Sequence, residues 1–536
     1  APSGPRERTV QRIELAAGDL DLKPYLQGWV PTSERSTFWV TANPYGDSLE
    51  HLKHLVHYPY GCIEQTTSST RPLLYVSSFV GALDPSLLAG GKIEDAVAYG
   101  ITRILSMQTP TGGFGYWPGS TDPQAWSTAY ATHLLWDAQK MGYAVPADRL
   151  KDALGYLETW VSGSERGDRE GYGDAEPYAH YVLALAGKGR KAQALSSLER
   201  IKNSRGKDQE NAYLLKAALY LSGDRRFEKE LKTPDVSPVS DERENSWSFY
   251  SDRRRRGLTL SIFQDLFGND PAGEALAQRV ADSLRGHTSG WYTTQELVWG
   301  ITGLGKRVQG AAASFQAPKL VADGREIAAK AGAPGGKSDR QWALARAGER
   351  GTLQLKVADK GSGSLFLVLG SEGVRENGVF ALGGNGLKLS RRFRTLAGDP
   401  VRVEDGSVQL ADLVVVELTL TNTSVDRVQN IALVDRIPAG WEIENPRLGR
   451  GAPVGWAEAD KLWNVDAMNV RDDRIELFGA LERGETKTVV YAVRAVTSGR
   501  FTLPPAEAEA MYDPRVWARE AGGQVKVEGP WKDFLL

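Results

Sequence analysis

The stretch HYPYGCIEQTTSS, His57 to Ser69, holds the groups of this chain with the most evident chemistry. Cys62 is the only cysteine among 536 residues, and a carboxylate, Glu64, and a carboxamide, Gln65, follow it within three positions. Cys62 and Gln65 stand at i and i+3, so in a helical first turn both side chains lie on one face. The sulfur then reaches the Gln65 side-chain carbonyl, and displacing ammonia would close an internal Cys62–Gln65 thioester. Glu64 is placed to move protons during closure. Gly61 permits a tight backbone entry before the helix. A thioester is an activated acyl group. A lysine amine or a hydroxyl would attack the Gln65 carbonyl carbon and release Cys62 as a thiol. Water would do the same, so the site must stay dry until used, and Tyr58 and Tyr60 are candidate shields.

Blander readings compete with this one. A lone cysteine is by default a buried structural residue. A cysteine hydrolase needs a histidine to take the thiol proton. His51, His54 and His57 are near in sequence, but no third orienting residue can be named. HLKHLVH has no further ligand cluster beside it, so these histidines read as helix-surface or helix-end residues, and neither a metal nor any other cofactor is expected. DRRRR, Asp252 to Arg256, reads as a solvated corner at a helix start rather than an anion site. Trp117, Trp126 and Trp136 read as core residues packing the inside of a helical ring.

Composition narrows the classes. The chain is 41% hydrophobic and 25% charged, with a net charge of −2. Nothing in that balance points to nucleic acid or an anionic membrane. One cysteine excludes an internal disulfide framework and any multi-cysteine metal site. No apolar run reaches the ~20 residues that span a bilayer. APSGPRERTV is polar and lacks an initiator Met, which reads as a processed chain or an excised fragment whose targeting signal or anchor lies elsewhere.

Positioning the thiol falls to three textures. Residues 1–46 hold alternating runs, TVQRIEL and STFWVTA, that read as strands. Residues 47–306 read as helical. STAYATHLLWDAQKMG, PYAHYVLALAGKG, NAYLLKAALYLSGD, LTLSIFQDLFGND and TTQELVWGITGLGK each read as an amphipathic helix closed by glycine, at Gly142, Gly187 to Gly189, Gly223, Gly268 and Gly303 to Gly305. The glycines recur every roughly 36 or 45 residues, about two helices per repeat. The loop QTPTGGFGYWPG favours closure of those repeats into an α/α toroid over an open solenoid. Residues 307–386 turn β-rich and read as the remainder of a sandwich begun by residues 1–46, with the helices inserted between its strands. Residues 387–536 read as a second, immunoglobulin-like sandwich. Terpene cyclases and prenyltransferase β-subunits share such toroids, but neither a DxDD-like acidic cluster nor a zinc set accompanies this one.

PYGCIEQ resembles the CxEQ thioester motif of the α2-macroglobulin and complement family, and its bacterial members in particular. The resemblance covers most of the chain. It implies a toroidal thioester domain inserted in a CUB-like sandwich, followed by a final macroglobulin-like, receptor-binding-type domain. EAEAMYDPRVWARE is similar to the end of bacterial members, where Met511 and Tyr512 would cover the thioester. The implied activity is not enzymatic turnover. It is single-use inhibition of endopeptidases, in which cleavage of an upstream bait region exposes the thioester to a lysine of the attacking protease. The implied setting is the periplasm, with membrane anchorage through an N-terminal region and a penicillin-binding protein as neighbour. Some complement relatives steer the acyl group to hydroxyls with a histidine. The comparable stretch here, VSGSERGDREGYGD, has none, which favours amines. The alternative is a non-covalent interaction scaffold whose thioester is vestigial or unformed.

Overall fold

The computed structural model describes residues 5–56, 61–76, 92–163, 175–201, 206–245, 248–308, 315–329, 339–361, 363–405, 408–444 and 456–529. Contacts divide the chain into two compact units, with the main boundary between Val379 and Phe380.

The first unit begins with strands β1 (Arg6–Glu14), β2 (Gly18–Asp21) and β3 (Arg35–Thr41). The chain then enters the helices and returns as β4 (Lys319–Ala322), β5 (Arg325–Ile327), β6 (Arg340–Ala345), β7 (Leu353–Val357) and β8 (Phe366–Val374). Two four-stranded sheets result, ordered β1-β8-β3-β6 and β2-β7-β4-β5. Early and late strands alternate within the first, and in the second the early β2 pairs with the late β7, so neither sheet is complete without the two ends of the unit. Phe38, Val40, Leu367 and Leu369 from one sheet share a core with Leu320, Leu353 and Leu355 from the other. The expected sandwich with a helical insertion is what the chain adopts.

The long helices are α1 (Ile63–Tyr75), α2 (Ile93–Leu105), α3 (Ala125–Lys140), α4 (Ala147–Val161), α5 (Ala175–Leu185), α6 (Lys191–Arg200), α7 (Gly206–Leu221), α8 (Asp252–Phe267), α9 (Glu274–Ser283) and α10 (Thr294–Val308). Packing runs α1 to α3, α5, α7, α8 and α10, and α10 packs back on α1. That closes a ring. Helices α2, α4, α6 and α9 pack outside it on their neighbours. Gly142, Gly187, Gly223 and Gly268 follow helix ends with φ of 87°, 71°, 88° and 59°, the left-handed stops expected of them.

Three expectations need correction. Gly303 and Gly305 do not close a helix; they lie inside α10, as does Gly300. A Cβ on Gly303 would lie 3.1 Å from the Gly257 carbonyl oxygen, so Gly303 lets α8 and α10 approach closely, whereas one on Gly305 would meet Val76 beyond the end of α1 at 2.6 Å. The arginines of DRRRR are not solvated, being only 1–9% exposed. They draw in the irregular segment before α8: Arg255 and Arg256 bond Asp235, Arg253 bonds Asp241, and Arg254 reaches Glu210 on α7. Trp117 and Trp126 are buried as expected, but Trp136 is only half-buried, with the Lys140 ammonium 5.2 Å from its ring centre.

His51 is buried and fully engaged. Its Nδ1 lies 2.8 Å from Ser289 Oγ and its Nε2 2.9 Å from the Leu284 carbonyl oxygen, so Nε2 carries the proton. Among the described residues, no group of three or more His, Cys, Asp or Glu side chains could hold a metal. Burial above all lowers the His51 pKa from 6.5 to about 4. Between those values the unfolded chain binds a proton that the folded chain refuses. Stability is therefore lost as pH falls from 6.5 towards 4, by about 3 kcal/mol for this residue. We expect His51→Gln to flatten the denaturation-midpoint curve across that window, as read by the helical circular dichroism signal.

The second unit contains β9 (Gly383–Asn385), β10 (Leu387–Arg394), β11 (Val408–Gln409), β12 (Leu413–Asn422), β13 (Val428–Arg436), β14 (Trp441–Ile443), β15 (Ala467–Val470), β16 (Arg474–Leu481), β17 (Thr486–Ala495), β18 (Gly499–Leu503), β19 (Ala506–Ala510), β20 (Asp513–Glu520) and β21 (Gly523–Glu528). Its main sheets run β10-β12-β17-β14 and β15-β16-β13-β19-β20-β9 over one core. A buried ion pair, Arg391 to Asp435, crosses that core, and Tyr491 donates to the same carboxylate at 2.7 Å.

Candidate functional site

Cys62 is the N-cap of α1. Its sulfur accepts from the Gln65 backbone N–H at 3.4 Å, and its own N–H donates to Gln65 Oε1 at 3.3 Å. This is a capping box in which sulfur takes the place of the usual hydroxyl. The box folds both side chains over the first helical turn, thiol beside carboxamide. It does two chemical things at once. The Cys62 N–H polarises the Gln65 side-chain carbonyl that lies beside the sulfur. The helix N-terminus favours negative charge where a thiolate would form or leave.

The entry to α1 is held from two sides. Gly61 has a φ of 79°, a conformation that a side chain would strain. Its carbonyl accepts from Arg103 Nη2 at 3.4 Å, and the next free N–H, of Ile63, donates to the Tyr116 carbonyl at 3.0 Å. Tyr116 belongs to the Gly-aromatic loop after α2. That loop thus supports the Cys62 turn as well as making a connection within the toroid. Cys62 and Gln65 are 0% and 2% exposed.

Glu64 points into the ring. Its carboxylate accepts from Ser68 Oγ at 2.5 Å, from Thr294 Oγ1 at 2.9 Å and from Gln295 Nε2 at 2.5 Å. Tyr130 joins through Ser68 at 2.8 Å. Burial and the Glu64 charge hold the Tyr130 phenol well above its ordinary pKa, so it remains a hydroxyl. Further along α1, Arg71 is fully buried. It donates to Asp137 on α3 at 2.9 Å and lies 4.9 Å from the Trp299 ring centre on α10. The helix that carries the motif is pinned to α10 and α3, the members of the ring on either side of it.

The remaining candidates are placed as follows. Tyr58, Tyr60 and His57 lie outside the described residues, as does most of the stretch after Trp160. Met511 and Tyr512 form the turn between β19 and β20 of the second unit. Both are buried, and Met511 N donates to the Asn430 carbonyl at 2.9 Å. Sequence reasoning missed Tyr116, Arg103 and Gln295. Only the first leaves a signal, the GGFGYW loop, which reads as a sign of toroid closure and not as a support for Cys62.

Comparison with known proteins agrees with this architecture. Residues 386–515 match the bacterial alpha-2-macroglobulin MG10 domain, and residues 39–225 match the A-macroglobulin TED domain. Alpha-2-macroglobulin of Escherichia coli K12 is 26% identical over 530 residues, covering 94% of this chain and 30% of the relative. That of Xylella fastidiosa Temecula1 is 28% identical over 511 residues, covering 89% and 30%. The crystal structure of Salmonella alpha-2-macroglobulin reacted with methylamine is similar with a TM-score of 0.78 at 26% identity, over 98% of this chain and 34% of that one. The chain spans about 30% of the length of these two curated relatives. It belongs to the bacterial alpha-2-macroglobulin family and carries domains of the family's C-terminal region.

Proposed function

We propose that this chain is the reactive part of a protease inhibitor that captures its target covalently through a Cys62–Gln65 thioester. The observation that carries the reading is the reciprocal capping box, which holds thiol and carboxamide together on a buried helix N-terminus. Closure forms the Sγ–Cδ bond and releases the Gln65 amide nitrogen as ammonia. In capture, a target lysine nitrogen attacks Cδ, the C–S bond breaks, and the amine proton passes to sulfur. The product is an amide on the protease and a free Cys62 thiol, with no turnover. Glu64 passes the thiol proton to the nitrogen that leaves as ammonia during closure, although its three donors make fixing α1 against α10 its larger contribution. Tyr58, Tyr60, Met511 and Tyr512 supply the shield against water. The relative whose structure is that of a methylamine-reacted form supports an amine-accepting chemistry. A periplasmic setting, with anchorage through a region upstream and a penicillin-binding protein as neighbour, belongs to the same proposal.

The test is the intact mass of fresh protein, with thiol titration before and after methylamine. The expected result is a mass short by one ammonia and a thiol that appears only with the amine. Gln65→Glu, which has no amide to displace, is expected to expose the thiol from the outset. A full mass with a titratable thiol in the wild type sinks the covalent reading and leaves the interaction scaffold.

A further inference from the structure

Phe249 adopts a φ of 52°, a left-handed conformation that is costly for a bulky aromatic residue. The ring it presents is 3% exposed and packed within the toroid. It stacks nearly parallel to Tyr116, centroids 6.4 Å apart at 10°, and meets Trp126 edge-on at 4.6 Å. Both partners lead to the first turn of α1. The Tyr116 carbonyl caps Ile63, the residue after Cys62. Trp126 packs on Tyr130 at 5.0 Å, and Tyr130 bonds Ser68 in the Glu64 cluster. Phe249 therefore bridges two supports of the reactive turn, one in the loop after α2 and one on α3.

The strain at Phe249 is held from behind. Ser251 caps α8 by accepting from Arg254 N, Asp252 N donates to the Glu242 carbonyl, and Ser240 N donates to the Asp252 carboxylate. Arg255 and Arg256 fasten Asp235. An irregular segment this heavily anchored has no evident need of a left-handed aromatic residue for its own stability. Strained residues persist where the surroundings over-determine them, and they concentrate at functional sites.

We infer that Phe249, backed by Tyr116 and Trp126, is a toroid-borne aromatic shield that keeps water and amines from the Gln65 carbonyl until capture. The inference rests on the thioester reading but is tested apart from it. The full chain is compared with Phe249→Ala and Phe249→Tyr by the rate at which the Cys62 thiol appears in methylamine. Removing the ring should speed unmasking by about tenfold or more, because a wetter site reacts faster with small nucleophiles. Tyrosine should restore the wild-type rate while the helical dichroism of all three stays the same. Should wild-type Cys62 prove unmasked, the thioester reading fails and the shield is still measured, as the rate of Cys62 modification by a small thiol reagent, again faster in Phe249→Ala. Should Phe249→Ala lose its helical signal, Tyr116→Leu is read in the same way, since it removes the stacking partner and leaves the strained turn intact. Wild-type rates in the folded variants overturn the proposal.

Discussion

Replacing Arg254 with alanine is expected to destabilise the toroid by about 3–5 kcal/mol, the usual effect of leaving one buried charge without its partner. Arg254 is 1% exposed and bonds Glu210, itself 5% exposed. Its Nε also donates to Gln295 Oε1 at 3.1 Å, and its guanidinium lies 5.5 Å from the Trp126 ring centre. One side chain on α8 thus ties α7, α10 and α3. Gln295 in turn donates to Glu64, so the loss reaches the helix that carries Cys62. Urea unfolding followed at the helical dichroism band reports the toroid, because every long helix of the described residues lies there. Adding Glu210→Gln to the Arg254→Ala chain should recover part of the loss by removing the orphaned carboxylate. No recovery would mean that Arg254 acts through packing and not through charge.

Gly257→Ala is expected to cost about 3 kcal/mol, the upper range for adding one methyl to a filled core. A Cβ on Gly257 would lie 2.6 Å from the Gly300 backbone nitrogen and 2.6 Å from the Trp299 carbonyl carbon. Backbone cannot step aside as a side chain can, so α8 and α10 would have to separate. Gly300→Ala is the informative contrast. Its Cβ would meet Leu284 Cδ1 at 2.7 Å, the end of a flexible side chain, so a smaller loss is expected. Equal losses in the two variants would show that this approach does not limit the ring.

Much of the candidate site could be read along the chain, because its chemistry is local. The i and i+3 spacing of Cys62 and Gln65 is itself the spacing of a capping box, and one helical turn is enough to assemble it. The helix-ending glycines at 142, 187, 223 and 268 were legible for the same reason. What escaped was whatever depended on distant partners. DRRRR looks like a solvated run because Glu210, Asp235 and Asp241 lie outside the run. Gly303 looks like a stop signal because nothing local reveals that Gly257 faces it. The Tyr116 support of Ile63 joins residues 53 positions apart through a backbone carbonyl, which no side-chain pattern records. Insertion of the helices between strands was legible in texture, whereas the interleaving of early and late strands in the sheet β1-β8-β3-β6 was not.

That interleaving sets an order of events during synthesis. Arg6 pairs with Val374, and Glu14 with Phe366. At a synthesis rate of roughly 5–20 residues per second, β1 waits about 20–70 s for β8. The toroid needs no such partner, since α1 and α10 close it with residues made before β4 emerges. The ring that carries Cys62 can thus be complete while the sheet that anchors it is still half made, and the Cys62 turn need never face solvent attached to a finished sandwich.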